Sequence, residues 1–356
     1  KAFQIISIGH HSIIEAISSS KIMNKIVKDL FSNPNPSEIA LNRLSDILSY
    51  VFSAFSKDES ESCEYLFLLL KRLDIIGIRN LFISLFSSHR NLIDAQENFL
   101  KMNLIEKMLN ELFTIDLTNI SFDDFSNPLF LKIESIYNIL ESAAYNSIFH
   151  RVFIESSMMN CLLKHISGPN YVISAQWRVI EAIFSKLPES CYQSFIEPAN
   201  SIIVSLKNQI FPYHCSALNI LAICLKETTE FVTDDFIKHL LASFISFDQC
   251  TDFHRAVRDF IINALKYDSI NLQIVLIFAP VLLVEAQIRE YVNIASSAFI
   301  ILDAMNETIS NNADIEDAVI DIDGLQGFMK TDMKRYQEIL SRPYGMYELD
   351  VKQTNM

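Results

Sequence analysis

Two pairs of adjacent carboxylates, Asp123-Asp124 and Asp234-Asp235, are the first residues in this 356-residue chain that could do chemistry. Paired carboxylates hold magnesium in all-helical prenyl-transfer enzymes, but there a third carboxylate completes a DDxxD pattern. Neither pair has that third acid. Thr233 ahead of Asp234 and Asp235 has the form of a helix start, where a side-chain oxygen caps and carboxylates favour the positive end of the dipole. His10-His11 and His214-Cys215 are adjacent pairs. Neighbours on a helix point about 100° apart, a poor start for a metal geometry. Asp321-Ile-Asp323-Gly324 has the middle of a calcium loop, but the first and twelfth positions fall on Val319 and Lys330, where carboxylates are required. Gly324-Leu-Gln-Gly327 has the GXXG form without the mixed α/β frame that this motif needs. There is no HExxH, GxSxG or GxxxxGK. The expectation is a chain without catalytic, cofactor or metal residues.

What remains is charge. Lys71-Arg72, Arg79, His89-Arg90 and Lys101 form a basic cluster that helical pitch could place partly on one ridge. It reads either as a solvated face or as a docking edge for an acidic partner surface, and Arg72 and Arg79 are the residues expected to make that contact. Segment 303–323 carries seven acids and no Lys or Arg, and is expected to be a loop, with a docking strip for a basic peptide as the other reading. The formal charge of −14 disfavours nucleic acid and anionic membrane surfaces as partners.

The elements that must position these residues are helices. Leu44, Ile47, Leu48, Val51, Phe52 and Phe55 fall on one helical face, and Val257, Phe260, Ile261, Ala264 and Leu265 do the same. Hydrophobic residues make up 50% of the chain, enough for a long core and too many for wholesale disorder. Only 6 Gly and 9 Pro leave little material for tight turns, and the 26 Phe are expected between helix layers. No Val/Ile/Thr alternation persists long enough for a sheet.

Helices are expected near 11–31, 37–56, 60–73, 75–88, 90–113, 129–145, 147–166, 171–186, 192–209, 213–227, 233–247, 252–267, 270–308 and 324–341. Ser37 and Pro128 have the chemistry of helix starts, Gly168-Pro169-Asn170 marks a break, and Pro188, Pro198 and Pro212 are expected to divide the stretch around them. Helix pairs recur at a spacing like that of HEAT and armadillo arrays, without a repeat in residue identity. The fold class expected is all-α, a superhelical array of antiparallel helix pairs. Residues 1–310 would be the solenoid, 311–323 an acidic loop, and 324–356 a closing helix and tail.

The six cysteines (Cys63, Cys161, Cys191, Cys215, Cys224, Cys250) lack CxxC spacing and sit mostly among apolar neighbours. They read as small core residues in a reduced compartment, the cytoplasm and with it the nucleus. Asn119-Ile-Ser121 and Asn306-Glu-Thr308 match the glycosylation triplet, a pattern common by chance. The longest apolar run, Ile274 to Val284, has 11 residues and contains Pro280, against about 20 for a spanning helix. No signal-peptide pattern opens the chain, and Lys1 in place of an initiator Met implies a cut from a longer one.

Several stretches, in consistent order over residues 35–345, resemble the SAPS family. They are Asn35-Pro36 through Leu44-Ser-Asp-Ile-Leu-Ser-Tyr-Val51, Leu68-Leu-Leu-Lys-Arg-Leu73, Ile78-Arg-Asn-Leu-Phe82, Leu104-Ile-Glu-Lys-Met-Leu109, Ala217-Leu-Asn-Ile-Leu-Ala-Ile-Cys-Leu-Lys226, Phe236-Ile-Lys-His-Leu-Leu241, Phe253-His254-Arg-Ala-Val257, and Gly327-Phe-Met-Lys330 to Ser341-Arg-Pro343. The family's Trp before the Phe/Leu-His stretch is missing, with Gln249 and Cys250 nearby instead. The resemblance implies a non-catalytic regulatory or scaffolding subunit that binds a serine/threonine phosphatase catalytic subunit of the protein phosphatase 6 class and directs its substrates. A generic HEAT or armadillo adaptor is the alternative, and an all-α enzyme a more distant one. The importin form of adaptor lines its groove at Trp-x-x-x-Asn spacing, whereas Trp177 is followed at that spacing by Glu181.

Overall fold

The computed structural model describes residues 20–33, 35–53, 63–117, 120–121, 124, 126–154, 156–164, 168–288 and 292–341. His10-His11, Asn119, Asp123 and the Pro343 tail lie outside the described residues, as does the first part of the helix expected from residue 11. The chain is all-α, and among the described residues there is no strand. Its helices are α1 (Ser20–Phe31), α2 (Glu38–Ser53), α3 (Tyr65–Leu69), α4 (Ile76–Phe86), α5 (Ile93–Lys101), α6 (Leu104–Thr114), α7 (Pro128–Ala144), α8 (His150–Phe153) and α9 (Ser156–Leu163). There follow α10 (Asn170–Phe184), α11 (Gln193–Val204), α12 (Pro212–Cys224), α13 (Asp234–Ser246), α14 (Thr251–Ala264), α15 (Asn271–Ile288), α16 (Val292–Ser310), α17 (Ala313–Ala318) and α18 (Leu325–Ser341).

Capping chemistry explains several starts. The Asn127 side chain accepts from Leu129 N–H with Pro128 as the first helical residue of α7, and the Thr233 hydroxyl accepts from Phe236 N–H at the start of α13. Asn312 caps α17 by accepting from Asp314 and Ile315 N–H, which places a short helix inside the stretch expected to be an acidic loop.

Other boundaries differ from the sequence reading. The helix expected over 90–113 breaks between α5 and α6, where Asn103 takes a left-handed φ of 52°. Asn is one of the few residues that tolerates that region, because its short amide bonds locally. Within the helix expected over 147–166, α8 ends at Phe153, and α15 and α16 both lie within the one expected over 270–308, of which residues 289–291 are outside the described residues. Pro198 does not divide its stretch but lies inside α11, as Pro280 lies inside α15.

Two compact units divide the chain. One comprises Lys1–Pro198 with Phe211–Ala217, the other Ala199–Ile210 with Leu218–Met356. In the first, α2 packs on α4, α4 on α7, and α7 on α10, a row of helices that are not neighbours in sequence. In the second, α13 packs on α15 and α14 on α16, with α15 against α16 and α18 resting on both. Of the expected faces, Leu44, Leu48, Val51 and Phe52 are buried in one unit, with Ile47 half-buried and Phe55 outside the described residues, and Val257, Phe260, Ile261, Ala264 and Leu265 are buried in the other. Phenylalanines stack through both cores. Phe99 meets Phe52 at 5.5 Å and Phe86 at 5.7 Å, Phe86 meets Phe149 at 4.8 Å, and Phe236 meets Phe260 at 5.7 Å.

Candidate functional site

The helices of the first row are joined by polar side chains along their length. Between α2 and α4, Gly77 N–H donates to Asn42 Oδ1 at 2.9 Å. Between α4 and α7, Arg79 lies 3.8 Å from Glu134. Between α7 and α10, Arg178 donates to Glu141 Oε2 at 3.0 Å and to Asn138 Oδ1 at 2.8 Å. Glu181 of α10 accepts from the Ser216 hydroxyl of α12 at 2.6 Å. These partly exposed pairs each add little energy, but apolar stacking alone would let the helices slide, and the pairs fix one register.

Arg72 and Arg79, the residues expected to meet a partner, are both engaged within the chain. The Arg72 guanidinium makes a two-pronged contact with Asp74, its Nε donating to Oδ1 at 3.1 Å and its Nη2 to Oδ2 at 3.3 Å. Arg79 pairs with Glu134. Each remains about a quarter exposed, 27% and 24%, while Lys71, His89, Arg90 and Lys101 are exposed.

A second device lies in the interior and was missed in the sequence. Helix C-termini leave carbonyls without donors, commonly answered by a left-handed glycine, and this chain has few glycines. Buried and half-buried side chains from elsewhere in the chain supply the donors instead. Gln96 of α5 donates to the Leu85 and Ser87 carbonyls at the end of α4, both at 2.8 Å, and Asn146 donates to Phe86 O at 3.1 Å. Gln176 of α10 does the same to Leu162 O and Lys164 O after α9. His254 of α14 bonds Phe244 O near the end of α13, and His239 of α13 bonds Ile203 O in the last turn of α11. Lys186 and His150 meet at the Ala144 carbonyl that ends α7. Isolated Gln, Asn or His residues among apolar neighbours are the signal that could have pointed to them.

Burial sets the titration of the interior groups. His214 is pushed down to about 4 by burial, although its ring bonds the Phe211 backbone. Burial also lowers His254, and raises the Cys224 thiol to about 12, with Glu227 adding to the rise. Lys186 is lowered by burial, and His150 by burial and then by the Lys186 charge. None of these groups lines either of the two pockets described in the second unit. One of those, of about 460 Å³, opens between the C-terminal ends of α14 and α16 beside Asp268 and Glu307. The other, of about 410 Å³, lies between the end of α11 and the start of α13.

The remaining sequence-level candidates sit apart. Asp234 and Asp235 occupy the first turn of α13, Asp124 accepts from Ser126 and Asn127 in a turn, and Gly324 takes a φ of 77° in the turn before α18. Trp177 is buried, and Asn306 lies within α16. Among the described residues no three His, Cys, Asp or Glu side chains come together as a metal site. No described helix is long and apolar enough to cross a membrane.

No family model, curated protein or solved structure matches this chain.

Proposed function

We propose that the chain is a non-catalytic protein-binding scaffold, built as a superhelical array of helix pairs whose product is a surface. The observation that carries this reading is the row α2, α4, α7, α10, in which helices separated in sequence stack on one another and are locked in register by Asn42–Gly77, Arg79–Glu134 and Arg178–Glu141. Stacking of that kind is how repeat arrays build extended binding faces from units that touch only their neighbours. The polar ties favour a surface held in one shape, which lowers the ordering cost of binding.

The partner class within this reading is a serine/threonine phosphatase catalytic subunit. It is supported by the order of the SAPS-like stretches over residues 35–345, and the scaffold would act by multipoint docking and raised local substrate concentration. Cytoplasm and nucleus are the compartments it would share with that partner.

Affinity purification of the full-length protein followed by mass spectrometry tests both levels. A phosphatase catalytic subunit among the leading partners, confirmed by direct binding of the purified components, is the expected result. Stable retention of other proteins without a phosphatase would leave a general helical adaptor in its place. A chain that retains no protein, and instead turns over a phosphoester or peptide substrate, would overturn the scaffold reading.

A further inference from the structure

Two basic side chains from different segments converge on one backbone oxygen. The carbonyl of Ala144, the last residue of α7, accepts from Lys186 Nζ, just past the end of α10, and lies 3.1 Å from His150 Nε2 in the first turn of α8. A carbonyl only accepts, and it has two lone pairs, so it takes both bonds. His150 Nε2 therefore carries a proton, and Nδ1 is the site where the ring gains a second one. Because both nitrogens bond the same atom, they stand within two hydrogen-bond lengths of each other.

The charges around this oxygen are few. Lys186 lies over the Tyr145 ring, 5.4 Å from its centroid, and Tyr145 is 65% exposed. Glu141 of α7 and Glu181 of α10 act on the Tyr145 hydroxyl, opposed by Arg178 of α10. Arg178 is bonded to Glu141, and Glu181 accepts from Ser216. Arg151 follows His150 on α8 and is exposed. Among the described residues no carboxylate forms an ion pair with His150 or Lys186. No bonded carboxylate offsets a second positive charge at this oxygen.

We propose that the Ala144 carbonyl is a proton-sensitive latch between the ends of α7 and α10: when His150 gains its second proton, two cations can no longer share one oxygen, and Lys186 releases it. Lys186 is the group that leaves, because its strongly hydrated ammonium rides on a flexible four-carbon stem. Release unties the two helix ends and uncovers the face of Tyr145. Burial and then the Lys186 charge hold His150 below its ordinary 6.5, although its bond to Ala144 pulls the other way. The latch is therefore closed above 6.5 and opens as pH falls through the lower, folded value. The inference does not depend on the scaffold reading. It gives the row α2, α4, α7, α10 one join whose closure follows pH.

The test is an NMR titration of the full chain from about pH 7.5 to 5, the range in which histidine switches, with carbon-13 in histidine and lysine. The His150 ring signal reads protonation. The Lys186 ε-methylene signal, shifted by the Tyr145 ring, reads release. The two should move with one midpoint while far-ultraviolet circular dichroism stays constant. In Lys186→Gln the His150 midpoint should rise, because a like charge has gone. In His150→Asn the Lys186 signal should hold still over the same range. Comparing the two midpoints in the unaltered protein needs no variant, so the test stands even if a variant fails to fold.

Separate midpoints, a His150 midpoint that does not rise in Lys186→Gln, or Lys186 movement that persists in His150→Asn would overturn the proposal. Loss of helix at the shared midpoint would overturn it too, since the event would then be unfolding of the chain.

Discussion

Asn146 donates to Gln96 Oε1 at 3.0 Å, joining two buried amides 50 residues apart at the end of a third element, α4. Gln96 passes its own donor on to Leu85 O and Ser87 O, and Asn146 reaches Phe86 O and, at 3.4 Å, Ser87 O. The pair therefore closes one helix end with groups from two later segments. Gln96→Ala and Asn146→Ala should each cost about 1–3 kcal/mol, the penalty for leaving buried groups without partners. The double variant should cost less than the sum, because the two share a bond and a carbonyl. Urea unfolding of the four-member cycle measures this, and strictly additive losses would show that the two amides act independently.

Gly77 is held against α2 by the same kind of reach. Its N–H, one of the donors left open at the start of α4, bonds Asn42 Oδ1, and a Cβ there would fall 2.3 Å from that oxygen, 2.7 Å from Ser45 Oγ and 3.0 Å from Asn42 Cα. Alanine gains about 1 kcal/mol in helix propensity over glycine, yet Gly77→Ala should destabilise, by about 1–3 kcal/mol, as overpacking does. A raised midpoint in thermal unfolding would show that α2 and α4 can part at no cost.

Acid should weaken the fold through its buried histidines. His214 titrates near 4 when folded and near its ordinary 6.5 when unfolded. Between those values the unfolded chain holds more protons. Stability is therefore full above 6.5 and falls as pH drops toward 4, by about 1.4 kcal/mol per pH unit for one such group. Protonation also removes the acceptor that His214 Nδ1 offers to Phe211 N–H. His254 shifts in the same direction and adds to the slope. Unfolding free energies measured from pH 7 to 4 should show the decline, and His214→Gln should flatten part of it.

Thiol chemistry should sort the cysteines by burial. No disulfide links them; Cys63 and Cys224 are buried, and the other four are half-buried. With its thiol pushed up to about 12, Cys224 carries almost no thiolate at neutral pH. Brief iodoacetamide treatment of the native protein, read by peptide mass spectrometry, should label Cys161, Cys191, Cys215 and Cys250 well before Cys224. Early labelling of Cys224 would show that its part of α12 opens readily.

Charge reversal at Arg72 and Arg79 together tests their expected role in docking. The internal pairs with Asp74 and Glu134 are partly exposed, so their loss should lower stability by only about 0–1 kcal/mol each. Binding to a phosphatase catalytic subunit should nevertheless weaken, and its salt dependence should flatten. Unchanged binding would confine both arginines to their roles within the chain.

The helices were legible in the sequence because helical periodicity is local. The apolar face of α14 and the starts of α7 and α13 follow from residues within a few positions of one another. The splits were less legible. The break at Asn103 depends on one residue taking a left-handed backbone that its type allows but does not require, and Pro198 stays within α11 although proline more often ends a helix.

By itself, then, the sequence determined an all-α chain with buried phenylalanines and a strongly acidic surface. Arg72 and Arg79 stood out in it as basic residues, but their pairing with Asp74 and Glu134 is a fact of the tertiary structure. So are the amides that close helix ends and the pocket between α11 and α13. The reason is physical: a helix satisfies its backbone with residues four positions away, whereas its open carbonyls and paired charges are answered by whatever packing brings near. For Asn146 and Gln96 that meant a reach of 50 residues, a distance over which local pattern carries no information.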